Sequence, residues 1–433
     1  MTVQSILRTA SRRPWFLLPA IVLLCASCGG DSKSESGGRR KVVISHFWAD
    51  VQDVWEEAIV EFEKAHPDID IEQQAVSFDV HYKKVLTTAA AGSDIGDLVL
   101  LEDWFAQELL EREFLVDIGP WVKRDLKPED FFEVSLDTYT KGGALRAFPV
   151  ALGTYPLFYN KDLFDAAGVR YPDSTWTYDT LVAAATKLTR DTDGDGKIDQ
   201  WGFLLDNSGG FDGTLYSLGG AVLTDDGKHS AFGEPRTIQA LQFWVDLVQR
   251  FKVAPVNASV MGGSSSGGSR RPFETGRFAM AMLQSAISTY RAVPFKWDIA
   301  LPPKGPAGRR ALRYGAAFGI AKTSEHPEDA WEFIRWVVKE MPPRYADRMF
   351  YGQVPNSRRL ASSPEYLGGE PKVSRQVVID MIEKYSFSYW RSRWLQFRDQ
   401  GFLPELDQMV AGKKSVQQGA ADASKRIDEV LAQ

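Results

Sequence analysis

The sequence predicts an α/β fold in two domains, built on mostly parallel sheets with helices on both faces. Three observations lead there. A chain of 433 residues exceeds what one hydrophobic core holds. Strand-like and helix-like stretches alternate from Lys41 onward. No long linker divides the chain, so two domains require it to cross between them more than once. An apolar share of 44% with 25% charged residues is that of a soluble globular protein. The net charge of −6 is spread along the sequence rather than gathered into a basic face, which sets nucleic acid aside as a partner.

The first 40 residues stand apart from this pattern. Arg8, Arg12 and Arg13 precede the apolar run Trp15 to Leu24, and small residues follow before Cys28, as in an export signal removed by cleavage. The run is shorter than the about 20 residues a membrane span needs, and it contains Pro19. Leu24-Cys25-Ala26-Ser27-Cys28 resembles a bacterial lipobox, whose last cysteine becomes the lipidated first residue of the mature chain. Cys25 departs from that pattern, and a plain signal peptide cut near Ser27 is the alternative. Ser11-Arg12-Arg13 also resembles a twin-arginine signal. Cys25 and Cys28 are the only cysteines, so cleavage before Cys28 leaves one sulfhydryl and no disulfide. Residues 28–40, rich in Gly and Ser, read as a flexible tether.

Order begins with a strand at Lys41 to Phe47. Asp50 is placed to cap a helix carrying Val51, Val54, Trp55, Ala58, Ile59 and Phe62 at helical spacing, and His66-Pro67 ends it. A strand over Ile69 to Val76, a helix from Asp79 to Ala91 and the apolar strand Asp97 to Leu101 complete a βαβαβ unit. Ligands of such sheets sit beyond the carboxyl ends of the strands, which directs attention to the residues after Phe47 and Leu101. Further strands are expected at Ala144 to Val150, Leu157 to Asn160, Trp201 to Leu205, Phe278 to Leu283, Trp297 to Leu301 and Leu312 to Ala321. Helices are expected after the cap Thr177, over Glu234 to Phe251, over Glu328 to Lys339 and in the tail beyond Val373. Gly262 to Ser269 reads as an exposed loop.

Ordered blocks run through most of the chain. They include Lys41-Val42-Val43-Ile44 with Phe47-Trp48, Asp97 to Leu100, Phe148-Pro149-Val150 through Tyr155 to Phe164, Phe273 to Met280, Trp297 to Pro302, Gly315 to Ala321 and His326 to Ile334. In order and spacing they resemble the extracellular solute-binding proteins, the family that includes the maltose-binding protein. The resemblance implies a two-lobed periplasmic-binding-protein fold of type II, with three hinge crossings near Val150 to Tyr155, Leu283 to Ser285 and Ser324 to Glu328. On that basis residues 41–150 and 284–327 form the N-terminal lobe, and 151–283 and 328–433 the C-terminal lobe. It also implies a monomeric subunit of an ABC importer. That subunit would close on a mono- or oligosaccharide and deliver it to membrane permease subunits, and with the lipobox-like segment ending at Cys28 it is expected to be exported and lipid-anchored, facing the periplasm or the cell exterior.

A sugar offers flat C–H faces and rings of hydroxyls, so its site needs aromatic platforms and planar polar side chains. Trp48 and Asp50 follow the first strand, and Glu102, Asp103 and Trp104 follow the third. The resemblance adds Tyr155; Phe211, after the loop Asp206 to Gly210, is a candidate aromatic wall, Gln284 stands where relatives have a small residue followed by a tryptophan, Tyr314 opens a late strand, and Trp390, Arg391 and Trp394 are candidates for a lid from the tail, beyond the stretch the resemblance covers. Each of these is also an ordinary core or capping residue in a fold of this kind.

Asp191, Asp193, Asp195 and Asp199, with Gly196 at the sixth place, match the front of an EF-hand loop and point to a structural Ca2+ ion. The twelfth place is Gly202 rather than glutamate, so a further carboxylate, with Asp206 a candidate, or water would complete the shell. A bare acidic turn is the alternative. No zinc-binding H-E-x-x-H or phosphate loop is present, the Gly/Ser stretch Gly262 to Gly268 has no strand before it, and the five histidines are scattered. No enzyme and no organic cofactor is expected. A glycan hydrolase, a sensor partner or a surface adhesin using the same cleft are the other readings.

Overall fold

The computed structural model describes residues 38–256 and 270–433. The export signal, Cys28, most of the tether and the Gly262 to Ser269 loop lie outside them.

The N-terminal βαβαβ unit forms as its periodicity predicts. Strand Arg40–His46 pairs in parallel with Ile69–Ala75 on one side and Leu98–Glu102 on the other. Helix Gln52–Ala65 buries Val54, Trp55, Ala58, Ile59 and Phe62, and stops at His66, the residue before Pro67. Asp50 is not its cap: the N-cap is Val51, and no side chain caps the helix. Three strands from distant parts of the chain complete a six-stranded sheet: Tyr314–Ile320, Ala147–Gly153 and Val354–Pro355. Tyr314–Ile320 runs antiparallel to both its neighbours, so the sheet is mixed. Helix Pro327–Lys339 packs on this sheet, with Phe333 5.0 Å from Phe62 and Trp331 6.4 Å from Phe148 between ring centroids. Full burial of one such side chain is worth about 2 kcal/mol.

A second sheet of three strands sets Leu157–Asn160 between Met280–Met282 and Trp297–Ala300, antiparallel to both. The expected strand Trp201 to Leu205 is reduced to two parallel bridges, Trp201 to Phe278 and Leu204 to Ala281. Thr177 caps helix Tyr178–Leu188 as expected, its hydroxyl accepting from the Thr180 amide at 3.3 Å. The tail helices Leu403–Val410 and Val416–Leu431 join this lobe. Gln249 Nε2 donates to the Val410 carbonyl at 2.6 Å, and the Ser230 amide to Asp428 at 2.7 Å.

The chain passes from the first sheet to the second between Ala147–Gly153 and Leu157–Asn160, through Thr154 to Pro156. Trp297–Ala300, assigned above to the N-terminal lobe, belongs to the second sheet, whereas Pro327–Lys339 and Val354–Pro355, assigned to the C-terminal lobe, belong with the first. The chain changes lobe instead at Ala311–Leu312 and Ser386–Phe387. These two short strands pair in parallel, side by side. Leu283 to Ser285 braces the first crossing rather than forming one. The Ser285 amide donates to the Thr154 carbonyl at 2.9 Å, and the Thr154 hydroxyl to the Leu312 carbonyl at 3.0 Å.

Candidate functional site

Glu102 and Asp103 sit where strand Leu98–Glu102 turns into helix Asp103–Glu111, at the carboxyl end of a sheet strand. Asp103 is buried and accepts the Tyr139 hydroxyl on one oxygen and the Trp390 indole N–H on the other, at 2.9 Å. The same indole N–H reaches the Arg313 carbonyl at 3.1 Å. Trp390 thus ties the tail to the first lobe and to the second crossing. Glu102, partly exposed, accepts the Trp104 indole N–H at 2.8 Å.

Tyr155 emerges from the first crossing and meets Tyr314 edge-on, with ring centroids 5.4 Å apart. Gln284 Nε2 donates to its hydroxyl at 3.3 Å. Room for the ring comes from Gly209, where a Cβ would stand 2.0 Å from Tyr155 Cε2. Burial raises the phenol pKa first, and Asp206, Asp212 and Glu102 add to that. The structure therefore brings Glu102, Asp103, Tyr155, Gln284, Tyr314 and Trp390 together around the crossings.

Four other candidates fall elsewhere. Trp48 is 3% exposed and packs among Trp55, Phe350 and Tyr351, because its ring folds back into the first lobe's core. Asp50 is exposed on the turn Ala49–Val51 and faces Tyr351. Phe211 is held between Trp244 and Phe402 in the second lobe's core. Arg391 is exposed, donating to the Trp390 carbonyl at 3.2 Å against the turn at Gly227.

Sequence reasoning missed Tyr139, Asp212 and Tyr389. Asp212 is buried in helix Gly209–Ser217 and accepts the Tyr389 hydroxyl at 2.7 Å. A carboxylate within a stretch otherwise made of small, apolar and uncharged residues was the available signal. Burial is the leading cause that pushes Glu102 up to about 7, Asp212 up to about 7 and Asp103 up to about 6. For Asp103 the Arg313 guanidinium and its two hydrogen-bond donors pull the other way.

In the acidic loop, carboxylate oxygens of Asp191, Asp193 and Asp195 lie within 4.8 Å of one another, and all three residues are exposed. Asp199 does not join them. Its Oδ2 accepts from the amide and hydroxyl of Thr192, each at 2.9 Å, which closes the loop on itself. Asp206 is also absent from the loop: it is buried beside Gly210, and Ser208 donates to it.

The model of the bacterial extracellular solute-binding protein family matches residues 48–341. The chain belongs to that family. This solute-binding protein is 25% identical over 330 residues to the arabinooligosaccharide-binding protein of Bacillus subtilis, covering 73% of each chain. It is 25% identical over 326 residues to the mannitol-binding protein of Pseudomonas aeruginosa, covering 72% of each. In fold it is similar to an ABC substrate-binding protein of Listeria monocytogenes solved with cycloalternan. That comparison has a TM-score of 0.78 at 22% identity and covers 91% of this chain and 99% of the other. The solute-binding protein thus has the type II periplasmic-binding-protein fold, in a family made of binding proteins. Among its described residues no helix is long and apolar enough to cross a membrane.

Proposed function

We propose that this solute-binding protein captures a sugar between its lobes by hinge closure, delivers it to the permease of an ABC importer, and performs no chemistry on it. The observation that carries this reading is the convergence of Tyr155, Tyr314 and Trp390 with Glu102, Asp103 and Gln284 at the crossings. Rings for C–H faces and planar acceptors for hydroxyls meet at the place a hinge motion would open. The carbohydrate and polyol ligands in the names of its relatives support the same class. A ligand that binds only the native state raises the melting temperature. A thermal-shift screen against a panel of sugars is therefore expected to return stabilisation by one sugar class, with the sugar recovered unchanged. Stabilisation solely by amino acids, polyamines or metal complexes refutes the reading.

Two further properties belong with it. Cys28 would carry the lipid that holds the protein at the membrane, and Cys28→Ala is then expected to move it from the membrane fraction to the soluble one. An unchanged distribution rules the anchor out. The loop of Asp191, Asp193 and Asp195 would take Ca2+ as a staple, since three converging carboxylates suit a hard cation. Calcium added to chelator-treated protein should then release heat on calorimetry. A flat titration leaves only an acidic turn.

A further inference from the structure

The rings gathered at the crossings continue outward along the first sheet. Leu98–Glu102, Arg40–His46 and Ile69–Ala75 lie side by side in parallel, and an aromatic residue follows each of them just past its carboxyl end: Trp104, Phe47 and Phe78. The three touch in series. Phe47 meets Phe78 edge-on with ring centroids 5.0 Å apart, and Phe78, the first residue of helix Phe78–Ala90, lies 5.8 Å from Trp104. Trp104 leads back to the crossings, since it lies 6.0 Å from Trp394, which meets Trp390 edge-on at 4.8 Å.

The outer end of this row differs from core packing. Trp48 turns inward to Trp55, whereas its neighbour Phe47 stays only half-buried, as does Phe78. Val80 is 53% exposed, and Ser77 and Asp79 are exposed on either side of Phe78. An apolar patch left wet and rimmed by polar groups is the surface of a binding groove, and it stands at the carboxyl ends of parallel strands, where ligands of such sheets lie. Trp104 joins it to the site at the crossings: its indole N–H donates to the partly exposed Glu102 at 2.8 Å, which fixes the plane of the ring. From Tyr314–Ile320 to Ile69–Ala75 there are three strand spacings, a width of about 14 Å. One sugar ring does not cover that width, and a chain of them does, each unit turning a C–H face to an aromatic ring.

We propose that Trp104, Phe78 and Phe47 form an outer subsite, so that the cleft takes an oligosaccharide whose first unit sits at the crossings and whose further units lie along these rings. This rests on the reading that the ligand is a sugar, and adds its length. The occupant follows from continuity: the row runs without a break from the rings around Trp390 to Phe47.

The test is calorimetric titration of the purified protein with arabinose, glucose and mannose and their oligosaccharides of two to four units. Within the series that binds, the tetrasaccharide is expected to bind at least about tenfold more tightly than the monosaccharide, a gain of about 1.4 kcal/mol. Phe78→Leu, which keeps apolar bulk and removes the ring, should bring that ratio toward one, and Phe78→Tyr should keep it. The ratio is read within each variant, so a partly unfolded preparation does not imitate the effect. Equal affinity from one unit to four, or a Phe78→Leu variant that keeps the wild-type ratio, overturns this inference and leaves the sugar reading standing. If no member of any series binds, the sugar reading falls, and this inference with it.

Discussion

Replacing Trp390 by alanine is expected to weaken ligand binding by about two orders of magnitude, since losing a central aromatic anchor costs about 2–4 kcal/mol and each 1.4 kcal/mol is tenfold. The loss has two parts. The ring itself goes, with its edge-on contact to Trp394 at 4.8 Å and its stacking on Tyr389 at 5.7 Å. The indole N–H goes as well, stranding Asp103 Oδ2 and the Arg313 carbonyl, which it now serves together. Trp390→Phe separates the two, because phenylalanine keeps apolar area and supplies no donor. Calorimetry with the sugar that stabilises the wild-type protein makes the measurement. Wild-type affinity in Trp390→Ala would remove this residue from the site.

Gly202→Ala is expected to be the most damaging single methyl in the second lobe. A Cβ at this position would stand 2.0 Å from the Ala185 carbonyl oxygen and 2.5 Å from Ala185 Cα, both backbone atoms of helix Tyr178–Leu188. No side-chain rotation relieves that contact, so the helix or the loop must move, at a cost of about 3 kcal/mol or more. Chemical denaturation should show a midpoint well below the wild type, and an unchanged midpoint would contradict the packing described. The same contact explains why the acidic loop lacks its twelfth ligand. Gly202 occupies the place where an EF-hand carries a bidentate glutamate, and here any side chain collides with a helix.

The local reading of the sequence succeeded where periodicity alone decides. The βαβαβ start, the Thr177 cap and the strand Leu157–Asn160 follow from alternation, capping chemistry and apolar runs of strand length. It failed where pairing is non-local. Helix Pro327–Lys339 looks the same in sequence whichever sheet it covers, and only strands from opposite ends of the chain reveal that it lies over the first. The second and third crossings were misplaced for that reason. In the site, Glu102 and Asp103 were legible because they follow a strand at its carboxyl end. Trp48 follows the neighbouring strand in the same way but turns inward to Trp55, a choice of rotamer that no spacing encodes. Asp212 was overlooked because a carboxylate on a short helix reads as surface until the burial around it is known.

The strand order of the first sheet bears on how the protein is made. Its six strands run from Arg40–His46 to Val354–Pro355, in a chain of 433 residues, and the strand in between that joins the two halves of the sheet is Tyr314–Ile320. A chain emerging N-terminus first cannot close this sheet until most of its length has appeared. The early βαβαβ unit must wait with one edge unsatisfied, because long-range pairings are slow to form. Until Tyr314–Ile320 appears, Leu98–Glu102 has no partner on its outer side, so the first sheet reaches its full width only when most of the chain has been made.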